Sequence, residues 1–210
     1  MHVITTKWLD VNKNDEATPN YRARLVGREI AWDKRDDLYA ATPPLESLKT
    51  IISACASAQD SVIPFRIMAI DVKRAYFYAP ATRPLFVKIP NEDWEVGDEK
   101  NVARLKLSLY GTRDAAFNWT TTYTEFLVSI GFVKGKGCTC NFHHPKGLMM
   151  TVHGDDFNST GSTKDLAWLK SRFESKSAFL SLKCLNFQPL LHPISLVHPA
   201  FVKVKSRIAL

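Results

Sequence analysis

The spacing of apolar residues predicts alternating strands and helices in the first half of the chain. Residues 1–30 contain two strand-like stretches, WLDV and RARLVGREI, around the turn-rich sequence NKNDEATPN. Apolar residues recur at helical spacing over 42–55, behind prolines that suit a first helical turn. The apolar, β-branched stretch Phe65–Val72 predicts a buried strand with Asp71 near its end.

The second half continues the alternation. VARLKLSLYG (residues 102–111) predicts a strand, and 114–130 predicts a helix with aromatic residues on one face and Gly131 as its C-terminal cap. Two further strands are predicted around a turn at 145–147, followed by a tight turn at 154–156.

The last predicted helix begins with an approximate capping box at Ser162 and Asp165. Its inward-facing residues are predicted to be Leu166, Leu169 and Phe173. Residues 176–210 contain no acidic residue and are interrupted by prolines, so their sequence predicts no particular structure. The pattern as a whole predicts a protein that contains both strands and helices.

Composition adds a candidate partner. The 210 residues include 45% hydrophobic residues, enough for a substantial core. Lys and Arg outnumber Asp and Glu by 28 to 21, giving a formal net charge of +7. This excess suits a polyanion such as nucleic acid, although an ordinary basic surface gives the same count.

Cysteine spacing and hydropathy indicate the compartment. The four cysteines follow no disulfide-framework spacing, and we expect neither a signal peptide nor a membrane-spanning segment. They are Cys55, Cys138, Cys140 and Cys184. An intracellular, reduced and soluble protein without a membrane partner is therefore expected.

Three arginines on the second predicted strand form a candidate phosphate-binding face. Arg22, Arg24 and Arg28 stand at even spacing, so strand alternation places them on the same face. That face could bind phosphate groups, or it could simply be solvated.

The sequence VHGDDF contains the candidate catalytic chemistry. A straight strand would send Asp155 and Asp156 to opposite faces, but a tight hairpin turn can project both from its tip. If that tip packs beside Asp71, three carboxylates meet, a ligand set that favours Mg²⁺ or Mn²⁺. Two such ions support in-line phosphoryl transfer. The alternative is a solvent-exposed turn.

Two other chemistries correspond to single features of the sequence. Zinc could be bound by Cys138, Cys140 and His144 on one strand face, with His143 pointing away, but the spacing matches no standard zinc module. His153 beside the carboxylates suggests a hydrolytic triad, yet no serine has a nucleophile-elbow context.

Four motifs carry a resemblance to the reverse transcriptases of copia-type LTR retrotransposons. VHGDDF resembles the family's Asp-Asp hairpin, and DVKRAYFY (71–78) resembles its motif A. RLKLSLYGTRDAAFNW (104–119) is similar to the Leu-Tyr-Gly-x-x-x-Ala-x-x-x-Trp motif, which is specific to the copia type. YRARLVGRE (21–29) and the Ala-Thr-Pro step at 41–43 resemble its fingers region.

The resemblance implies an α+β fold of the right-hand polymerase type within a Pol polyprotein. It implies a fingers-like segment at 1–60 and, at 61–175, a palm whose ferredoxin-like antiparallel sheet has helices on one face. Residues 176–210 would be a divergent tail. No thumb is recognisable, so the resemblance describes palm and partial fingers, truncated at the C-terminus.

The resemblance also assigns roles to individual residues. The catalytic metal carboxylates would be Asp71, Asp155 and Asp156, with the Val72 carbonyl also facing one of two Mg²⁺ or Mn²⁺ ions. Deoxynucleoside triphosphate (dNTP) would be contacted by Tyr76 as a steric gate against the ribose 2′-hydroxyl, and by Lys13, Arg22, Arg24 and Asp114. Template and primer would meet Tyr110, Gly111, Arg113 and Gly154.

The sequence departs from the family's pattern at two places. Asp114 stands where members usually have glutamine, and His153-Gly154 replaces the usual aromatic or valine residues, so no side chain at Gly154 braces the primer end. The implied partners are RNA or DNA template–primer and dNTPs, and the implied location is a cytoplasmic virus-like particle or the nucleus. The competing interpretation is an inactive retrotransposon relic that at most binds nucleic acid.

Overall fold

A computed structural model describes residues 2–31, 35, 38–93, 95, 96, 98 and 101–176, together with the backbone of 182–187. The described residues form an α+β fold, as predicted. The three α-helices are α1 (Leu45–Ser57), α2 (Ala115–Ser129) and α3 (Thr163–Ser175). The strands are β1 (His2–Asn12), β2 (Tyr21–Arg28), β3 (Phe65–Val72), β4 (Leu85–Lys88), β5 (Val102–Arg104), β6 (Val133–Lys134), β7 (Asn141–His144), β8 (Leu148–His153), β9 (Asp156–Ser162) and β10 (Leu182–Phe187).

The larger sheet has six strands in the order β10-β3-β9-β8-β7-β6, and all its neighbouring pairs are antiparallel. α2 and α3 cover one face of this sheet through aromatic side chains. The Phe157 ring lies 6.2 Å from Trp119 of α2 and 5.1 Å from Phe173 of α3, both edge-on. The main core therefore lies between this face and the two helices.

α1 lies against the opposite face. The Asn141 amide, which faces the same side as its strand partner Thr151, donates a hydrogen bond to Ser47 of α1 at 3.0 Å. Contacts of α1 with β3, β8 and β9 follow from this position. The sheet is thus covered on both faces, with α1 on the face opposite α2 and α3.

The smaller sheet has four strands in the order β2-β1-β4-β5. β1 and β2 form the predicted hairpin, with Leu9 opposite Arg24 and Val11 opposite Arg22. β1 runs parallel to β4, and its Ile4 side chain is buried with Leu85 of that strand. Beyond this junction the hairpin is largely exposed.

One predicted strand is shorter than expected. Within 102–111 only β5 is a strand, and Leu107 forms an isolated bridge with Pro80. The neighbouring segment contains Pro80 and Pro84, which have no N–H groups to continue a ladder. The predicted turn at 154–156 is also tighter, because Asp156 already belongs to β9.

The other local predictions are confirmed. β3 has the predicted bounds, Gly131 follows α2 with φ of 99°, and the Ser162 hydroxyl caps α3 by accepting from the Asp165 N–H at 3.1 Å. Residues 182–187, to which the sequence assigned no structure, pair with β3. Within the described ranges, the helices are too short or too polar to cross a membrane.

Candidate active site

The β8–β9 hairpin brings its acidic residues to the end of β3. Asp71 on β3 lies directly opposite Asp156 on β9, and His153 on β8 lies opposite Asp156 from the other side. The Val72 N–H donates to the Asp155 carbonyl oxygen at 3.0 Å, which fixes the turn against β3. The predicted meeting of the hairpin tip with Asp71 is therefore present at the level of the backbone.

A buried tryptophan stabilises the β8–β9 turn through a hydrogen bond. Gly154 adopts φ of 63°, a left-handed conformation that glycine accepts without strain. Its carbonyl oxygen accepts a hydrogen bond of 2.8 Å from the indole N–H of Trp119, which is only 1% exposed. The sequence places Trp119 among the aromatic residues of a predicted helix and indicates no contact with the turn. Its available signal was that a buried indole N–H needs an acceptor.

The electrostatics of the site favour a bound cation. Partial desolvation, together with the negative charges of Asp155 and Asp71, raises the pKa of Asp156. Mutual repulsion of this kind is relieved by a divalent cation, and the carboxylates present are the donors that Mg²⁺ and Mn²⁺ prefer. In the part of the chain that is described, however, no three His, Cys, Asp or Glu side chains form an arrangement ready to hold a metal ion.

Two tyrosines stand beside the carboxylates. The rings of Tyr76 and Tyr110 pack with centroids 4.5 Å apart and an interplanar angle of 34°. Burial, and next the negative charge of Asp155, raise the pKa of both phenols. Tyr76 follows β3 on a short 3-10 helix, Ala75–Tyr78, so its ring is carried by the same strand end as Asp71.

Arginines of the β1–β2 hairpin lie near Tyr110. The Arg24 guanidinium lies 6.0 Å from the centre of the Tyr110 ring. Arg22 also acts electrostatically on Tyr110, so both arginines are near the site. Lys13 lies at the outer end of the hairpin, where its N–H donates to the Asn20 carbonyl.

The segment after Tyr110 packs against β2. The Gly27 N–H donates to the Tyr110 carbonyl at 2.7 Å. Gly111 has φ of 82°, and a Cβ added there would collide with the Gly27 carbonyl oxygen. The structure thus explains Gly111 by close backbone packing, while its predicted contact with template remains a prediction.

Asp114 belongs to a buried ion network. Asp114 is only 4% exposed, and its carboxylate lies 3.0 Å from Nε of Arg83. Arg83 also pairs with Glu29, whose carboxylate accepts from the Arg113 backbone N–H at 2.9 Å. This burial gives no support to the predicted contact between Asp114 and a nucleotide.

The network changes the ionisation of its members. Burial alone would raise the pKa values of Glu29 and Asp114, but the hydrogen bonds and positive charge of Arg83 outweigh it and lower both. The same hydrogen bonds raise the pKa of Arg83. All three groups therefore stay charged at neutral pH.

The zinc alternative finds no support. The Cys140 thiol donates to the Ala41 carbonyl at 3.2 Å, and burial raises its pKa to about 11, which opposes the thiolate that zinc needs. His144 is engaged by two backbone groups, the Ile130 carbonyl and the Lys146 N–H.

Comparisons with known proteins agree with these motifs. Residues 1–187 match the family model described as reverse transcriptase (RNA-dependent DNA polymerase). The chain is 26% identical over 173 residues, 78% of its length, to a retrovirus-related Pol polyprotein from transposon TNT 1-94 of Nicotiana tabacum. It is 27% identical over 188 residues, 86% of its length, to the corresponding polyprotein from transposon RE2 of Arabidopsis thaliana.

The chain spans only 13% and 12% of these two relatives. Among solved structures, it is similar to apo telomerase from Candida tropicalis truncated from the C-terminal domain, with 10% identity and a TM-score of 0.46. That alignment covers 90% of this chain and 51% of the telomerase chain. A likeness this weak adds nothing to the assignment.

Proposed function

The chain belongs to the reverse transcriptase (RNA-dependent DNA polymerase) family, as a domain of copia-type retrotransposon Pol polyproteins, and from this premise we propose that it is an RNA-directed DNA polymerase. Its reaction would transfer a nucleotide from a dNTP to a primer 3′-hydroxyl. The observation that carries the proposal is the strand pairing of Asp71 with Asp156, with the Asp155 carbonyl bonded to Val72.

The strand order supports a palm assignment for the larger sheet. β3, α2, β8, β9, α3 and β10 follow the strand-helix-strand-strand-helix-strand order of ferredoxin-like folds, and their strands lie in the order β10-β3-β9-β8. The β1–β2 hairpin would then be part of the fingers. Arg24 of this hairpin lies 6.0 Å from the centre of the Tyr110 ring, and Tyr110 lies close enough to Asp155 for that charge to raise its pKa.

The acidic residues fit a divalent-cation site. Asp71, Asp155 and Asp156, together with the Val72 carbonyl, would hold two Mg²⁺ or Mn²⁺ ions. When bound, such ions would activate the primer 3′-hydroxyl and stabilise the leaving pyrophosphate. The pKa of Asp156 is raised first by burial and then by the negative charges of Asp155 and Asp71, and a bound cation would offset both effects.

The remaining residues would bind and orient the substrates. Tyr76, beside Asp155, would exclude the ribose 2′-hydroxyl, and Arg22 and Arg24 would neutralise triphosphate charge. Tyr110 would lie against template and primer. Positioning and charge neutralisation supply most of the catalysis in such transfers.

A nucleic-acid-binding chain without catalysis is the second candidate. The observation that favours it is that, among the described residues, no three acidic or other ligating side chains are gathered for a metal ion. Such a protein would bind template–primer through the basic hairpin but would not extend it.

Primer extension distinguishes the two candidates. The full chain is mixed with template–primer, dNTPs and Mg²⁺ or Mn²⁺, beside an Asp155→Asn control. We expect extension that the control abolishes, and weak, salt-sensitive binding in both proteins. Extension that is absent, or equal in the control, contradicts the polymerase, while binding alone favours the second candidate.

A further inference from the structure

The ring of Tyr110 supports the ring of Tyr76. Their centroids are 4.5 Å apart, and Phe77 meets Tyr110 edge-on at 5.7 Å and 84°. Both tyrosines are half-buried, and both lie close enough to Asp155 for its charge to affect them. A side chain packed on a neighbouring ring restricts where that ring can move.

Tyr110 is itself held at its backbone. Its carbonyl accepts from the Gly27 N–H at 2.7 Å, and the next residue, Gly111, touches the Gly27 backbone so closely that no Cβ fits. Thr112 continues this contact, since its methyl group packs over Gly27. The position of the Tyr110 ring is therefore tied to strand β2.

The buried ion network fixes the other end of the same segment. Glu29 binds the backbone N–H of Arg113, and Arg83 bridges Glu29 to the carboxylate of Asp114. Glu29 and Asp114 side chains are only 4% and 6% exposed, so these pairs are shielded from water. Residues 110–114 are thus fastened at both ends.

We propose that Tyr110 is a positioning residue for sugar discrimination, and that the Glu29–Arg83–Asp114 network holds it in place. This inference rests on the proposed polymerase function, in which Tyr76 rejects the ribose 2′-hydroxyl. Tyr110 prevents the Tyr76 ring from moving away from the sugar when a ribonucleotide binds. Asp114 then acts on the nucleotide through Tyr110 and Tyr76, without touching it.

The test is the ratio of kcat/KM for a dNTP to that for the matching ribonucleotide in single-nucleotide primer extension. This ratio does not depend on how much of a variant is folded, because both substrates meet the same molecules. Tyr110→Ala and Tyr110→Leu should lower it about three- to tenfold, the factor that an aromatic pair contributes. Tyr110→Phe keeps the ring and should keep the ratio. Asp114→Asn should lower it less.

An exposed tyrosine outside the site, Tyr39, provides the matched control, and Tyr39→Ala should leave the ratio unchanged. An unchanged ratio in both Tyr110→Ala and Tyr110→Leu overturns the inference. If the ratio changes in the Tyr110 variants but stays unchanged in Asp114→Asn, the role proposed for the network is overturned. If wild-type protein extends primers but does not discriminate between sugars, the gate assigned to Tyr76 fails. If it extends none, the polymerase proposal fails.

Discussion

The two sheets divide the candidate site between a packed platform and an exposed ribbon. The platform, β3 with β8 and β9, carries the carboxylates on strands whose other residues are mostly buried. The ribbon, β1 with β2, carries arginines on a hairpin that is buried mainly around Ile4 and Gly27. The carboxylates proposed to bind metal at short distance therefore stand on or beside rigid strands, whereas the arginines proposed to attract phosphates at longer range stand in solvent.

The largest effect is expected on the platform. Asp71→Asn should reduce primer extension by roughly a thousandfold or more, because the carboxylate that we propose as a metal ligand would act directly on the reacting groups. Asp10→Asn, which removes an equal charge from the exposed ribbon, should leave extension within about twofold of wild type. Extension rates of the two variants, measured side by side, provide the comparison. Equal losses would remove the distinction between platform and ribbon.

The Glu29–Arg83–Asp114 network should make a large contribution to stability. Arg83→Met leaves the buried carboxylates of Glu29 and Asp114 without their counter-charge, so we expect a loss of about 3 kcal/mol in the free energy of unfolding. Urea denaturation measures it. Arg104→Met, at an exposed position on β5, is the matched control and should cost less than about 0.5 kcal/mol.

The same network predicts an acid limb, that is, a fall in the free energy of unfolding at low pH. The pKa values of Glu29 and Asp114 are lowered in the folded state. The stability that these two carboxylates contribute is therefore fully present above their ordinary pKa values of 4.5 and 3.8. It is lost as pH falls through the lowered values. Arg83→Met should flatten this limb, and a limb of unchanged steepness would show that other carboxylates cause it.

Local signals explain which parts of the fold could be predicted. The apolar run that ends at Asp71, the glycine turn at Gly154 and the Ser162 cap each act within a few residues, and each formed as predicted. The strand predicted at 102–111 depended on a partner segment, and prolines in that segment shortened it. Periodicity alone gives no information about a partner strand.

Long-range pairs explain what could not be predicted. The resemblance assigned Asp114 to the nucleotide, but its partner Arg83 lies 31 residues away in sequence, and Glu29 lies 54 residues from Arg83. Trp119 similarly meets the Gly154 carbonyl across 35 residues. A hydrogen-bond partner chosen by the fold leaves no local trace, so a core aromatic and a positioning aromatic have the same sequence signature.

Trp119→Phe tests how firmly the platform holds its turn. It keeps most of the apolar volume but removes the donor to the Gly154 carbonyl, so we expect about 1 kcal/mol less stability. Primer extension should fall by more than the loss of folded protein explains, because the turn that carries Asp155 is no longer fixed. Thermal unfolding and extension of the same preparation separate the two effects. If Trp119 had only a structural role, the substitution would lower the amount of folded protein and the extension activity in proportion.

The smallest change in folding belongs to the ribbon. Arg22 is exposed on β2, so Arg22→Ala should alter the free energy of unfolding by less than about 0.5 kcal/mol. Affinity for template–primer should nevertheless weaken, and the slope of log affinity against log salt should become shallower by about 1, since we propose that this side chain contacts one phosphate. Lys164→Ala removes the same charge from the exposed first turn of α3, which follows the end of β9 distant from Asp156, and its slope should match wild type. Equal slopes for both variants would mean that net charge alone, without a cationic face on β2, attracts the nucleic acid.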